Sequence, residues 1–209
     1  NRLLEGDVGS GKTVVVAIAA LNAVGLSPAT GLSPVQRGQV AIMAPTEILA
    51  RQHFGTFSRL LASHGVWVGL LTQGGIKWCH LEDVAAPFRS PSWRSEDRRY
   101  IDITKRGMVK MIREGEVEVI VGTQALIQDT VEFKNLVLAV VDEQHRFGVS
   151  QRAKLREKRS DGMMPHLLTL TATPIPRSLA LVFYGDLDIS ILDEMPKGRQ
   201  KIETRIVVD

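Results

Sequence analysis

Residues 6–13 read GDVGSGKT and fit the spacing G-x-x-x-x-G-K-[ST], and no other short stretch restricts the fold of this chain so far. The pattern works only between a strand and a helix. Its glycines let backbone N–H groups close around phosphates, and the loop then feeds a helix N-terminus whose dipole favours anions. Residues 1–5 supply a short strand-like run, and 12–24 a helix-like one. Gly6, Asp7, Val8, Gly9, Ser10 and Gly11 would form the cradle, Lys12 a fixed cation, and Thr13 a hydroxyl ligand for magnesium. The competing reading is an ordinary glycine-rich turn, which the strand and helix flanks argue against.

The rest of the pattern extends this start. Nearly continuous apolar runs at 39–43, 66–71, 118–121, 136–141 and 166–170 alternate with longer amphipathic stretches at 46–62 and 98–114. A parallel sheet with helices on both faces reads this way, so the expected class is α/β. Two segments interrupt it, 25–38 with two Leu-Ser-Pro triplets and 73–97 with Trp78, Pro87, Pro91 and Trp93; both are expected to be loop insertions. The 209 residues are 44% hydrophobic and 23% charged, ordinary for a packed domain and inconsistent with disorder. One domain over 1–209 is expected, and its ends read as a piece of a longer chain. The run 14–21 is far short of the roughly 18 apolar residues a membrane span needs, so no membrane partner is expected. Cys79 is the only cysteine, which excludes an internal disulfide and a thiolate zinc cluster and suits a cytoplasmic setting. Net charge is +3, compatible with a polyanion but not diagnostic of one.

A second motif succeeds a buried run. Leu136–Val141 ends on Asp142 and Glu143, and carboxylates at the carboxyl end of a parallel strand reach the crevice where such sheets bind ligands. Asp142 is then placed to hold magnesium and Glu143 to orient or deprotonate a water attacking the γ-phosphate. An acidic turn after a core strand is the plain alternative. With the phosphate loop present, the pair points to a nucleoside triphosphatase. His53, His64, His80 and His166 lack ligand-like spacing and read as surface or core residues, so no metal beyond magnesium is expected.

Four further strings narrow the class. Asp142 to His145 reads DEQH, Thr171 to Thr173 TAT, Ala44 to Ala50 APTEILA and Gly122 to Leu126 GTQAL, in the order of the superfamily 2 helicases, whose first RecA-like motor domain this chain resembles. The longer strings DEQHRFGVSQR, TATPIPRSLAL and YGDLDISILDEMPKGR resemble the bacterial RecG family of branch-migration helicases in particular. Transcription-repair coupling factors are similar through HRFG and TATPIPR. They usually carry an aromatic residue where this chain has Ser10, and they lack the Tyr-Gly-Asp-Leu-Asp string. DEAD-box RNA helicases place Ala and Asp where this chain has Gln144 and His145.

The resemblance implies ATP and magnesium at Gly9, Gly11, Lys12, Thr13 and Asp142, with Lys12 and Glu143 catalytic. It implies that His145, Thr171 and Thr173 couple hydrolysis to movement. It also implies that the Pro45-Thr46 and Gly122-Thr123 turns grip the phosphates of one DNA strand without reading sequence. Helix capping explains Thr46 and Thr123 equally well. The implied partners are branched DNA (replication forks and Holliday junctions), a second RecA-like domain closing the nucleotide site with an arginine finger, and a wedge domain engaging the branch. Without these, the isolated chain reads as a nucleotide- and DNA-binding module with negligible turnover. Basic stretches at 98–113 and 152–159 could track a DNA backbone, but solvated helix faces account for them better.

Overall fold

The computed structural model describes residues 1–25, 37–79, 101–102, 104–143, 154–155, 157–158, 163–173 and 188–193. Among these, nine strands form one sheet: β1 (Arg2–Gly6), β2 (Gln39–Met43), β3 (Val68–Leu71), β4 (Ile76–Cys79), β5 (Ile101–Asp102), β6 (Val119–Gly122), β7 (Leu136–Val141), β8 (His166–Thr171) and β9 (Asp188–Leu192). Their spatial order is β5-β4-β3-β6-β2-β7-β8-β1-β9. Every pairing from β3 across to β9 in that order is parallel, and only the pairings β3–β4 and β4–β5 are antiparallel. The helices are α1 (Lys12–Val24), α2 (Glu47–Leu61) and α3 (Lys105–Glu114).

Burial on both faces explains the near-continuous apolar runs. Along β2, Val40 and Ile42 enter one core cluster while Ala41 and Met43 enter the other. The first cluster takes Val16, Ala17, Ala20 and Val24 of α1 and Ala50, Phe54, Phe57 and Leu61 of α2, each set at helical spacing. The second takes Met108 and Ile112 of α3, so the helices cover both faces as expected. Local chemistry sets the helix ends. Thr104 accepts a hydrogen bond from the Gly107 N–H at 3.2 Å and caps α3, while Gly25 and Gly115 close α1 and α3 at φ 83° and 76°.

Several boundaries differ from the sequence expectation. The stretch 98–114 is not helical throughout: Ile101 and Asp102 pair with β4, and α3 begins only after the Thr104 cap. The segment 73–97 is not all loop. Its first residues make a tight turn, with the Thr72 N–H donating to the Gly75 carbonyl at 3.1 Å, and β4 then returns along β3. A Gly-Gly pair between two strand-compatible runs is a hairpin signal that the tryptophans and prolines further on obscure. The edge strand β9 is an addition to the expected set. Residues 26–36, 80–97 and 202–208 lie outside the described residues, as do 152, 153, 156 and 159 of the basic stretch 152–159. Among the described residues no helix is long and apolar enough to cross a membrane.

Candidate functional site

Parallel strands bring their carboxyl ends to one edge, and that edge gathers the sequence motifs. In β1, Glu5 is level with Thr171 of β8; in β8, Thr169 is level with Val141 of β7; in β2, Met43 is level with both Val141 and Gly122 of β6. Along the edge, the phosphate loop after β1 is succeeded by Thr171, Ala172 and Thr173 at the end of β8, Asp142 and Glu143 after β7, Pro45 and Thr46 after β2, and Thr123 after β6. With strands about 4.8 Å apart, the strands that lead into the loop and into Asp142, β1 and β7, run roughly 10 Å from each other on either side of β8.

The loop itself is tightly folded. Gly9 and Gly11 adopt φ 86° and 95°, a region that side chains rarely enter. Gly6 is required for another reason: a Cβ there would meet Ser10 Oγ at 2.6 Å and the Cβ of Leu192 on β9 at 3.0 Å. The Asp7 carboxylate accepts from the Val8 N–H at 2.8 Å, and the Asp7 carbonyl accepts from the Ser10 N–H at 3.1 Å. Lys12 Nζ donates to the Gly6 carbonyl at 2.6 Å and to the Asp7 carbonyl at 2.9 Å, which holds the ammonium within the turn. Helix α1 begins after Gly11 with no side-chain cap and no acidic residue in its first turn. Its leading N–H groups therefore offer a site for an anion. Ser10 Oγ is buried without a hydrogen-bond partner. An orphaned hydroxyl, a fixed cation and a helix start without a side-chain cap together fit a phosphate chain.

The carboxylates are held differently. The Asp142 N–H donates to the Met43 carbonyl at 2.9 Å, continuing the β2–β7 ladder by one residue. Its Oδ2 lies 2.7 Å from His53 Nε2. Glu143 adopts φ 53°, the one left-handed non-glycine residue among those described. Thr171 Oγ1 stands 3.0 Å from Thr173 Oγ1 and accepts from the Thr173 N–H at 3.2 Å, so the two threonines close a small turn. His145 lies outside the described residues.

Thr46 and Thr123 diverge. Thr46 Oγ1 accepts from the Leu49 N–H at 3.3 Å and so caps α2. Thr123 makes no side-chain cap, and it leads into a short 3₁₀ turn, Gln124–Ile127, instead of an α-helix. Beside Thr46, Glu47 accepts from Arg51 at 2.7 Å and from the Gly74 N–H at 3.2 Å. The Arg51 hydrogen bond holds the Glu47 carboxyl below its ordinary pKa despite opposing desolvation. On α3, Lys110 pairs with Glu114 at 3.7 Å, Arg113 with Glu132 at 3.7 Å, and Lys105 donates to Gln128 at 2.6 Å. These basic residues are engaged on an exposed face, in keeping with the solvated reading. Among the described residues, no group of three or more His, Cys, Asp or Glu side chains is gathered to hold a metal ion.

His53 is the residue that sequence reasoning missed. It is neither at the surface nor in the apolar core, with its side chain 17% exposed against a carboxylate. A signal was present in its helical phase: His53 falls three residues after Ala50 and four before Phe57, on the face that packs toward the sheet.

The family model described as DEAD/DEAH box helicase matches residues 1–182. The chain is 48% identical to the ATP-dependent DNA helicase RecG of Aquifex aeolicus, over 99% of its own length and 22% of that protein. It is 45% identical to RecG of Haemophilus influenzae, again over 99% of its length and 25% of that protein. It thus spans about a quarter of the length of the curated relatives it matches. A structure of RecG bound to a three-way DNA junction matches with TM-score 0.64 and 36% identity, over 96% of this chain and 22% of that one. A DEAD box protein from Methanococcus jannaschii shares the fold with TM-score 0.56 and 18% identity, over 92% of this chain and 46% of that one.

Proposed function

Because this chain belongs to the DEAD/DEAH box helicase family, we propose that it is the ATP-binding first RecA-like motor domain of a RecG-type DNA translocase that remodels branched DNA. The observation that carries the nucleotide part is the placement of the phosphate loop, the Thr171–Thr173 turn and the Asp142-Glu143 pair at the ends of three neighbouring parallel strands. The RecG part is supported by 48% identity to a RecG protein over 99% of the chain, against 18% to the DEAD box protein that shares the fold.

On this reading the cradle from Gly6 to Gly11 and the start of α1 receive the phosphates of ATP. Lys12 leaves its two carbonyl partners to offset phosphate charge. Thr13 and Asp142 would hold magnesium, which would supply positive charge to offset that of the phosphates. Glu143 positions the attacking water and accepts its proton. The Thr171–Thr173 turn, set between the loop and Asp142, carries the nucleotide state onward together with His145. Further along the edge, the Pro45-Thr46 and Gly122-Thr123 turns meet strand phosphates, a grip that suits a motor stepping along any sequence. Thr46 can do this with its backbone while its hydroxyl caps α2. A second RecA-like domain with an arginine finger and a wedge domain complete the machine, which works on forks and Holliday junctions in the bacterial cytoplasm.

The test is ATP hydrolysis by the full-length protein that carries this chain, without DNA and with single strands, linear duplex or a model fork at one fixed salt concentration. Stimulation by the fork above linear duplex is the expected result. Equal stimulation by both would point to a duplex translocase of the coupling-factor kind, and stimulation by none would leave a nucleotidase without a DNA role.

A further inference from the structure

We propose that His53 is a positioning residue for Asp142, fixing the carboxylate that receives magnesium and tying it to helix α2. The inference rests on the nucleotide reading proposed for this site and adds to it a residue outside every motif that reading uses. An ionised carboxylate can only accept, so the 2.7 Å bond to Oδ2 requires the proton on His53 Nε2. The side chains are 17% and 15% exposed, which removes most competing water from the contact. The bond occupies Oδ2 and leaves Oδ1 outside it, so one oxygen can be oriented while the other meets a cation.

His53 is itself held in place. Its ring lies 6.1 Å from that of Phe57 at 44°, and Phe57 is buried along with Ala50 and Phe54 on the same helix face. Residues that orient metal-binding side chains through hydrogen bonds commonly change metal affinity by about 10–100-fold when removed. The contact also spans two parts of the proposed machine. Helix α2 begins at the Thr46 cap beside the proposed DNA-gripping turn, and two turns later it touches the metal carboxylate.

The experiment measures binding of a fluorescent ATP analogue to the protein as magnesium is varied, with a parallel series in EDTA. His53→Leu keeps bulk without a donor, and His53→Ala serves should leucine disturb the helix; His53→Gln retains an N–H near the Nε2 position. The leucine or alanine variant is expected to need about tenfold more magnesium for the same nucleotide binding, with binding in EDTA unchanged. The glutamine variant should return to within about threefold of the unaltered protein. In an Asp142→Ala background the loss of His53 should have no further effect. Unchanged magnesium dependence without the donor, or an undiminished effect in the Asp142→Ala background, would overturn the inference. Absence of magnesium-dependent nucleotide binding by the unaltered protein would overturn the nucleotide reading itself, and this inference with it.

Discussion

Glu143 bends the backbone where the proposed chemistry happens. Its φ of 53° lies in the left-handed region, which costs a non-glycine residue about 1–3 kcal/mol and persists only where the surroundings enforce it. The turn ends the β7 run and sets two successive carboxylates on different paths, with Asp142 bonded to His53 and Glu143 turned off the line of the strand. Replacing Glu143 by Gln keeps the shape and removes the base. ATP binding should survive while hydrolysis in the full-length protein falls by about a hundredfold or more. Unchanged turnover in a steady-state phosphate-release assay would exclude Glu143 as the residue that activates water. The phosphate loop was legible in the sequence because its demands are local: Gly6, Gly9 and Gly11 each answer a steric need within a few residues or at the adjoining strand. The His53–Asp142 contact was not, because its partners are 89 residues apart and only the β2–β7 pairing brings them together.

The strands and helices are tied at the opposite edge of the sheet by one buried side chain. Gln39, the first residue of β2, is 1% exposed; its Nε2 donates to the carbonyls of Ile112 and Val117 at 2.9 Å each, and its Oε1 accepts from the Asn135 N–H at 3.1 Å. One amide thus joins the end of α3, the approach to β6 and the start of β7. Gln39→Leu removes all three of these hydrogen bonds from backbone groups and should destabilise the fold by about 2–4 kcal/mol, read as a lower urea midpoint. Magnesium-dependent nucleotide affinity should remain, because the network lies at the amino ends of the strands and the site at their carboxyl ends. Sequence pattern captured elements in proportion to their burial. Gln39–Met43 and Leu136–Val141, covered on both faces, appeared with correct limits, as did Lys12–Val24 between its two glycines. The misses lie toward the two ends of the strand order, β4 and β5 at one end and β9 at the other. A two-residue strand such as β5 has no period to detect, and β9 stays partly exposed, so its apolar residues carry a weaker signal.

Across the whole sheet, the strand order segregates two kinds of proposed chemistry along one edge. The phosphate loop, the Thr171–Thr173 turn and Asp142 lie at the ends of β1, β8 and β7, while Thr46 and Thr123 come after β2 and β6, and α2 links the groups through the contact of His53 with Asp142. The parallel class could be inferred from the sequence because both-face burial leaves a mark on every central strand. The strand order could not, since apolar runs do not say which neighbour each will take. In isolation the 209-residue chain should turn ATP over negligibly, because the proposed machine takes the arginine that completes phosphoryl transfer from its second motor domain. Binding is therefore a more direct test of the edge than turnover. The decisive measurement is titration of ATP against the protein with and without magnesium, for the unaltered sequence and for Lys12→Ala. If the edge is a nucleotide site, magnesium strengthens binding, and removal of the Lys12 ammonium weakens it by at least about tenfold. Equal binding by both proteins, or none by either, would contradict that assignment.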